Sequence, residues 1–335
     1  MTELSILDLV RVTEATDARG ALDNARDLAA QAENWGYRRF WVAEHHNMAG
    51  IASAATSVVL AHIAAGTRTI RVGAGGIMLP NHAPIIIAEQ FGTLATLFPG
   101  RIDLGLGRAP GTDQLTVRAL RRTLTDPDNF PRDVQELQAY FAPLQPGQRV
   151  QAVPAAGTNV PLWILGSSTY GAQLAAEFGL PYAFASHFAP DMLLPALQIY
   201  RARFKPSAQL ARPHAMVGVN IIAADTDHAA RRLATTQQMS FTNLFRGTRG
   251  LSQPPIDDID SYWSPAEKAQ AGNMLARTIV GSVDTVRAGL DALIAETGAD
   301  ELMIVSDIYD HRDRLRSFEL IAAAAASIAT VSLAA

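Results

Sequence analysis

Eight times along the chain, a short apolar run is followed by a helical pattern, and this alternation is the strongest constraint on the fold. The apolar runs predict strands at residues 4–10, 39–43, 70–75, 102–106, 162–165, 182–185, 215–224 and 301–306. The helical patterns predict helices at 21–35, 52–65, 85–97, 132–141, 170–178, 191–204, 227–239, 283–296 and 311–328. Strands that alternate with helices indicate a parallel sheet. Eight such units predict a closed (β/α)8 TIM barrel, with a doubly wound open sheet as the alternative.

A length of 335 residues corresponds to about two domains of average size, but α/β barrels of about 250 residues or more form one domain. No compositional linker divides the chain, so we predict a single domain over residues 1–335. Two stretches, 108–131 and 240–270, are longer than the connections usual in this class. Because long barrel loops often cover the active face, we predict that 240–270 is a mobile lid.

The composition excludes several classes of protein. Apolar residues make up 48% of the chain and charged residues 18%, which excludes wholesale disorder. The formal net charge is −4 and there is no basic run, so neither nucleic acid nor a membrane is an expected partner. The absence of cysteine excludes a disulfide scaffold and a thiolate nucleophile. The first residues lack a secretory signal pattern and the apolar end at 320–335 suits a packed helix, so we expect a cytoplasmic protein.

In a (β/α)8 barrel, chemistry gathers at the C-terminal ends of the strands. The segment Glu44-His45-His46-Asn47 follows the second predicted strand. Because successive side chains of an extended segment point to opposite sides, one of the two histidines faces the barrel mouth. An imidazole there suits a general base or a hydrogen-bond donor, or it packs against a backbone carbonyl as a structural residue.

A metal centre is an alternative use of these histidines. The candidate ligands at strand ends are Glu44, His45, His46, His82 and His187. Metal-dependent barrel hydrolases usually carry a His-x-His pair at the end of strand one, whereas this chain has Leu7-Asp8-Leu9 there. We therefore predict no catalytic metal and keep a metal-dependent hydrolase as an alternative.

Three other strand ends predict a site for a flat ligand with a phosphate tail. Gly166-Ser167-Ser168-Thr169 opens a predicted helix, whose free N–H groups and dipole favour a phosphate, although ordinary N-capping explains the same residues. Arg108 follows the neighbouring strand and suits the same anion. Gly75-Gly76 lets a planar ligand approach the backbone, or forms a β-bulge. Together with a nearby histidine, these features point to flavin mononucleotide (FMN).

Several of these segments resemble the bacterial luciferase-like flavin-dependent monooxygenases. The resemblance covers nearly the whole chain and is strongest over 38–111 and 161–187. Trp41-Val-Ala-Glu-His-His resembles the glutamate–histidine–histidine segment of that family. Val72-Gly-Ala-Gly-Gly-Ile-Met-Leu-Pro, followed by His82-Ala-Pro, resembles the segment beneath the flavin ring. Gly100-Arg-Ile-Asp-Leu-Gly-Leu-Gly-Arg resembles the segment after strand four.

The resemblance implies roles for individual residues. The Gly75–Gly76 bond is expected to be the non-proline cis peptide that supports the isoalloxazine ring, and His45 to be the histidine of the flavin chemistry. The residues expected at the phosphate are Arg108, Gly166, Ser167, Ser168, Tyr170 and Gly171. Bacterial luciferase has a cysteine where this chain has Gly107 and a glutamate where it has Ser167, which argues against light emission.

The implied reaction uses reduced FMN and O2 to oxygenate a small organic substrate through a flavin 4a-hydroperoxide that is protected from water. The reduced FMN, expected to be held loosely, comes from a separate flavin reductase or forms in place from NAD(P)H. The chain is expected to form a homodimer. Two alternatives stay open: a deazaflavin-dependent hydride-transfer oxidoreductase of the same superfamily, and a non-catalytic flavin-binding protein.

Overall fold

Eight parallel strands close into a barrel in the computed structural model, which describes residues 2–109, 112–121, 129–248 and 250–332. The described residues form nine strands, of which all but β8 belong to the ring: β1 Glu3–Asp8, β2 Arg39–Val42, β3 Arg71–Met78, β4 Ile102–Gly107, β5 Leu162–Gly166, β6 Tyr182–Phe184, β7 Ala215–Ala223, β8 Ile279–Gly281 and β9 Glu301–Val305. Their order is β6-β5-β4-β3-β2-β1-β9-β7, and pairing of β6 with β7 closes the ring. The predicted barrel is therefore confirmed, and the open sheet is wrong.

Helices cover the outside of the barrel. They are α1 Ala18–Asn34, α2 Thr56–Ala65, α3 Pro84–Leu97, α4 Gln114–Ala119, α5 Phe130–Phe141, α6 Thr169–Phe178, α7 Leu193–Arg203, α8 Asp227–Arg246, α9 Pro265–Met274, α10 Val283–Thr297 and α11 His311–Ser332. The local sequence explains their ends: α1 begins where the Asp17 carboxylate accepts from Gly20 N–H, and α10 ends at Gly298 in the left-handed region. Among the described residues, we find no helix with the length and apolar character needed to cross a membrane.

The structure corrects the prediction in three places. Strand β8 was missed; it has three residues and pairs with the end of β7, beside the closed ring. Residues 240–246, predicted to be loop, continue α8, and α9 lies partly within the predicted lid at 240–270. Helix α4 lies in the predicted loop 108–131. Residues 110, 111 and 122–128 of that loop, and residue 249 of the predicted lid, lie outside the described residues.

A buried charged group closes the N-terminal end of the barrel. Arg39, at the start of β2, donates from Nη1 to Asp103 Oδ2 at 2.8 Å and from Nε to Glu301 Oε1 at 2.7 Å. Both carboxylates are fully buried, and the Arg39 guanidinium lies 4.7 Å from the ring centroid of Trp163. Burial acts to lower the pKa of Arg39, but the two carboxylates outweigh it and raise this pKa further above its usual range. The charged group therefore holds three strands together at the end of the barrel opposite the strand C-termini.

Candidate functional site

A cavity of about 600 Å³ opens at the C-terminal ends of the barrel strands. Its walls include all nine residues predicted for the site: His45, Gly75, Gly76, Arg108, Gly166, Ser167, Ser168, Tyr170 and Gly171. This volume lies in the range that small-molecule and cofactor pockets usually have. The sequence thus identified one contiguous cavity from residues that are up to 126 positions apart in the chain.

The Gly75–Gly76 peptide bond is cis, and the register of β3 against β4 shifts between Ala74 and Ile77. A Cβ on Gly76 would lie 2.7 Å from the carbonyl oxygen of Gly105 on β4. Because that oxygen belongs to the backbone of the neighbouring strand, a side chain at position 76 requires a shift of the sheet. The two glycines therefore leave a part of the cavity wall made of backbone atoms.

Glu44 fixes the glycine segment from the side away from the cavity. Its backbone N–H donates to Gly76 O at 3.2 Å, and its carboxylate Oε2 accepts from Met78 N–H at 3.0 Å. His46 Nε2 and His82 Nε2 both donate to Glu44 Oε1, at 2.7 and 2.9 Å. Burial acts to raise the pKa of Glu44, but the hydrogen bonds from His82, His46 and Met78 outweigh it and lower this pKa. Glu44 is therefore an ionised, buried anchor for the end of β3.

The structure divides the candidate metal ligands into two groups. The ligand atoms of Glu44, His46 and His82 lie within 4.8 Å of one another, but these three residues are not part of the cavity wall. His45 and His187 line the cavity and do not belong to that group. Because the Glu44 carboxylate already accepts hydrogen bonds from both histidines, the group is explained as a structural network, and the absence of a catalytic metal stays a prediction.

The predicted phosphate end combines a helix N-terminus with a cation. Helix α6 begins directly after β5, and its N-cap residue Ser168 has extended backbone and makes no capping hydrogen bond through its side chain. The Arg108 guanidinium lies 4.0 Å from the ring centroid of Tyr170, at a cation–π distance. Tyr182 Oη donates to Ser168 O at 3.0 Å and thereby holds the turn between β5 and α6. Free N–H groups, hydroxyls and a guanidinium therefore converge on one side of the cavity, as an anion site requires.

A polar group in the part of the cavity wall formed by β7 and α8 was not predicted from the sequence. Asn220 on β7 and Gln237 on α8 are almost fully buried, and Gln237 Nε2 donates to Asn220 Oδ1 at 2.9 Å. Asn220 Nδ2 donates to the backbone oxygen of His187, which follows β6. The sequence offered one indication of this group, the single amide Asn220 in the otherwise apolar run 215–224. Gln237 resembles any polar residue of a helix, so nothing in the sequence was a reason to select it.

His187 is held neutral by its surroundings. Its Nδ1 atom is buried, and a Cβ on Gly218 would lie 2.5 Å from that atom, so the glycine makes room for the ring. Burial, together with the nearby His45, lowers the pKa of His187 to about 4. The unfolded chain, with a histidine pKa of 6.5, binds the proton more readily. Stability from neutral His187 is thus fully present above about pH 6.5 and is lost as the pH falls from 6.5 toward 4.

We predict that His187→Gln removes this pH dependence. The wild-type free energy of unfolding should fall between pH 7 and pH 4 by up to about 3 kcal/mol more than that of the variant. Urea unfolding at several pH values measures the difference. The exposed His228 on α8 provides the control, since His228→Gln should keep the wild-type slope. Equal slopes for His187→Gln and the wild type would contradict the assignment.

Comparisons with known proteins agree with the fold and with the resemblance. A family model described as luciferase-like monooxygenase matches residues 2–301. The chain belongs to the luciferase-like monooxygenase family. A family member from Escherichia coli (strain K12), named luciferase-like monooxygenase, is 56% identical over 317 residues, which cover 94% of this chain and 95% of the relative. The crystal structure of apo-MsnO8 is 36% identical with a TM-score of 0.89 and covers 97% of this chain and 98% of that one.

Two more distant structures share the fold of the luciferase-like monooxygenase family. The oxygenating constituent of 3,6-diketocamphane monooxygenase from Pseudomonas putida, in complex with FMN, is 20% identical with a TM-score of 0.71, covering 96% of this chain and 97% of that one. An F420-dependent secondary alcohol dehydrogenase, in complex with an F420-acetone adduct, is 14% identical with a TM-score of 0.69, covering 96% and 98%. At these identities the likeness shows the fold alone. Family membership makes the chain an oxidoreductase, while the roles of the nine site residues stay predictions.

Proposed function

We propose that this protein is a flavin-dependent monooxygenase that uses reduced FMN and O2 to oxygenate a small organic substrate. The observation that carries the proposal is the composition of the cavity wall. The backbone at Gly75–Gly76, the N-terminus of α6 with Arg108, and His45 all lie in this wall. The glycine backbone suits the planar ring of FMN, and the α6 N-terminus with Arg108 suits its phosphate. His45 suits the proton transfer that the reaction requires.

The residues present fit the cofactor. A flat ring requires a wall without protruding side chains, and the geometry at Gly76 leaves no space for one. A phosphate requires donors and positive charge, which Ser167, Ser168 and Arg108 supply beside the positive end of the α6 dipole. When bound, reduced FMN would supply the electrons that activate O2. The chain's own residues would position the ring, hold the phosphate and place the His45 imidazole for proton transfer.

Exclusion of water is the second requirement of this chemistry. Met239, Phe241 and Leu244 from the end of α8, and Leu251 from the following segment, line the cavity on its outer side. We assign the residues of this wall that fall within 240–270, namely Phe241, Leu244 and Leu251, to the lid that covers the bound flavin and the substrate. Electrons would arrive as reduced FMN from a flavin reductase, or from NAD(P)H at the bound flavin.

A homodimer belongs to the same proposal. Helices α2 and α3 carry apolar side chains that remain exposed, with Val58 at 69%, Ile86 at 45% and Leu97 at 63% exposure. Helices with apolar residues on their outer face are usual where a protein meets a partner. We propose that a second copy of the chain covers this face, which sedimentation or light scattering of the purified protein would test.

Arg108→Met is expected to weaken FMN binding about 10- to 100-fold, because a charge-assisted hydrogen bond to a phosphate is lost. The dissociation constant measured by fluorescence titration gives the effect. Arg118→Met on α4 is the matched control, since Arg118 is exposed and is not part of the described cavity wall. Riboflavin, which has no phosphate, should bind the wild type and Arg108→Met equally, and an equal loss for riboflavin would contradict the phosphate assignment.

The experiment that tests the function is an anaerobic titration with reduced FMN, followed by rapid mixing with O2 and an organic substrate. Saturable binding, slow flavin reoxidation and transfer of one atom of labelled O2 to a product are expected. A deazaflavin-dependent hydride transferase is the second candidate, favoured by the shared fold of the F420-dependent alcohol dehydrogenase. Binding of reduced deazaflavin but not of reduced FMN would favour it, and binding without any turnover would favour a flavin-binding protein.

A further inference from the structure

We propose that the substrate is an uncharged, mainly apolar organic molecule with one hydrogen-bonding group, and that the Asn220–Gln237 pair recognises this group. The inference rests on the proposed function, since it assigns the part of the cavity that FMN would leave free. Three observations carry it: the hydrogen-bonding capacity of the pair, the pairing of the charges in the wall, and the methionine content of the wall.

The Asn220–Gln237 pair is a built polar site. Both side chains line the cavity with exposures of 2% and 1%, and their mutual hydrogen bond fixes both amides. Asn220 is held in turn through its Nδ2, which donates to His187 O and lies 3.5 Å from Thr278 Oγ1. Among the described residues, the Gln237 side chain uses one N–H for Asn220, so that its second N–H and its carbonyl oxygen are left for a ligand. A fixed amide with one donor and one acceptor suits a ketone, an alcohol or an amide.

The charges in the described part of the wall are already paired or assigned. Arg11 Nη2 lies 3.1 Å from Asp307 Oδ2, and this carboxylate is buried. Arg108 lies over the Tyr170 ring at the phosphate end, and His187 is held neutral. Arg11 and Asp307 compensate each other, so together they present no net charge to a ligand. A charged molecule would lose its hydration in the cavity without gaining an uncompensated opposite charge at this pair, so this wall selects against charged molecules.

Methionine supplies much of the remaining wall. Six of the eight methionines of the chain line the cavity: Met48, Met78, Met216, Met239, Met274 and Met303. They come from the barrel, from α8, from α9 and from the segment after β2. Thioether side chains are apolar, flexible and polarisable, so they adapt to ligands of different shape. The wall therefore provides apolar contact around the single polar group of the substrate.

The test compares three probes of equal chain length: 2-octanone, octanoate and octylamine. Each is titrated by calorimetry at pH 8 into protein loaded with oxidised FMN, so that binding is measured without turnover. We expect 2-octanone to bind at least tenfold more tightly than either charged probe. Gln237→Leu should weaken 2-octanone binding about tenfold, because the ligand oxygen loses its partner. Gln238→Leu is the matched control on the next position of α8, which is not part of the described cavity wall.

Each outcome decides the inference. Octanoate or octylamine binding as tightly as 2-octanone would overturn the assignment of an uncharged substrate. Unchanged 2-octanone binding in Gln237→Leu would overturn recognition by the amide pair. FMN affinity in the same proteins separates the two levels: failure to bind FMN contradicts the proposed function, whereas normal FMN binding with the wrong probe preference contradicts the substrate class alone.

Discussion

Replacing His45 with alanine is expected to lower the yield of oxygenated product about 100-fold while FMN binds as in the wild type. A positioned acid or base contributes roughly 100- to 10,000-fold to a rate, and we take the lower end because a water molecule can enter the space left by the ring. His45 lines the cavity but belongs to neither the glycine segment nor the α6 N-terminus. Its loss should therefore remove proton transfer without removing contacts to the cofactor.

The measurement is product formed per reduced FMN consumed, together with the dissociation constant of FMN. His228→Ala is the control, because His228 is exposed at the start of α8. The variant at position 45 should release more hydrogen peroxide in place of product. A parallel fall in FMN affinity and in product yield would show that His45 serves in binding and would contradict a separate catalytic role.

Arg39→Met is expected to have the largest effect on stability, a loss of about 3–5 kcal/mol in the free energy of unfolding. The substitution leaves Asp103 and Glu301, both fully buried, without their shared cation. It also removes the guanidinium from the face of Trp163. Methionine keeps most of the volume of the side chain, so the effect arises mainly from lost charge compensation, with Arg71 left beside Asp103 and His214 beside Glu301.

Urea unfolding with Arg38→Met as the control measures this contribution. Arg38 precedes Arg39 in the chain, its side chain is 52% exposed, and its Nε lies 3.6 Å from Glu3. Exposed pairs of this kind contribute about 0–1 kcal/mol, so the control should unfold almost as the wild type does. A loss below about 1 kcal/mol for Arg39→Met would mean that the barrel end relaxes and admits water to the carboxylates.

The barrel could be predicted from the sequence because its strands are buried on both faces. Such strands are continuous apolar runs, as in β7, where all nine residues are buried. Strand β8 could not be predicted because three residues pair through backbone groups that any sequence offers. The end of α8 was missed because Ser240, Thr242 and Asn243 disfavour helix, whereas packing and the left-handed cap at Gly247 carry the helix to Arg246.

The candidate site residues that could be predicted are those that directly follow a strand in the sequence. Residues at the ends of β2, β3, β4 and β5 meet in one cavity because parallel strands of a barrel end on one face. The pattern alone could not choose between His45 and His46, and the structure places His45 in the cavity wall and His46 beside Glu44. The Asn220–Gln237 pair joins a strand to a helix, so no regular spacing in the sequence predicts it.

The attachment of Glu44 to the glycine segment has a consequence for how this protein could diversify. One residue ties His45, its chain neighbour, to the Gly76 carbonyl and to the Met78 amide. His45 and the glycine segment are thereby held by the barrel strands. Another part of the cavity wall comes from α8, α9 and the segments around Met48 and Leu251, which lie outside the closed ring. Natural or laboratory selection can therefore change these outer segments, and with them the shape of the cavity, without disturbing the contacts that hold His45 and the glycine segment.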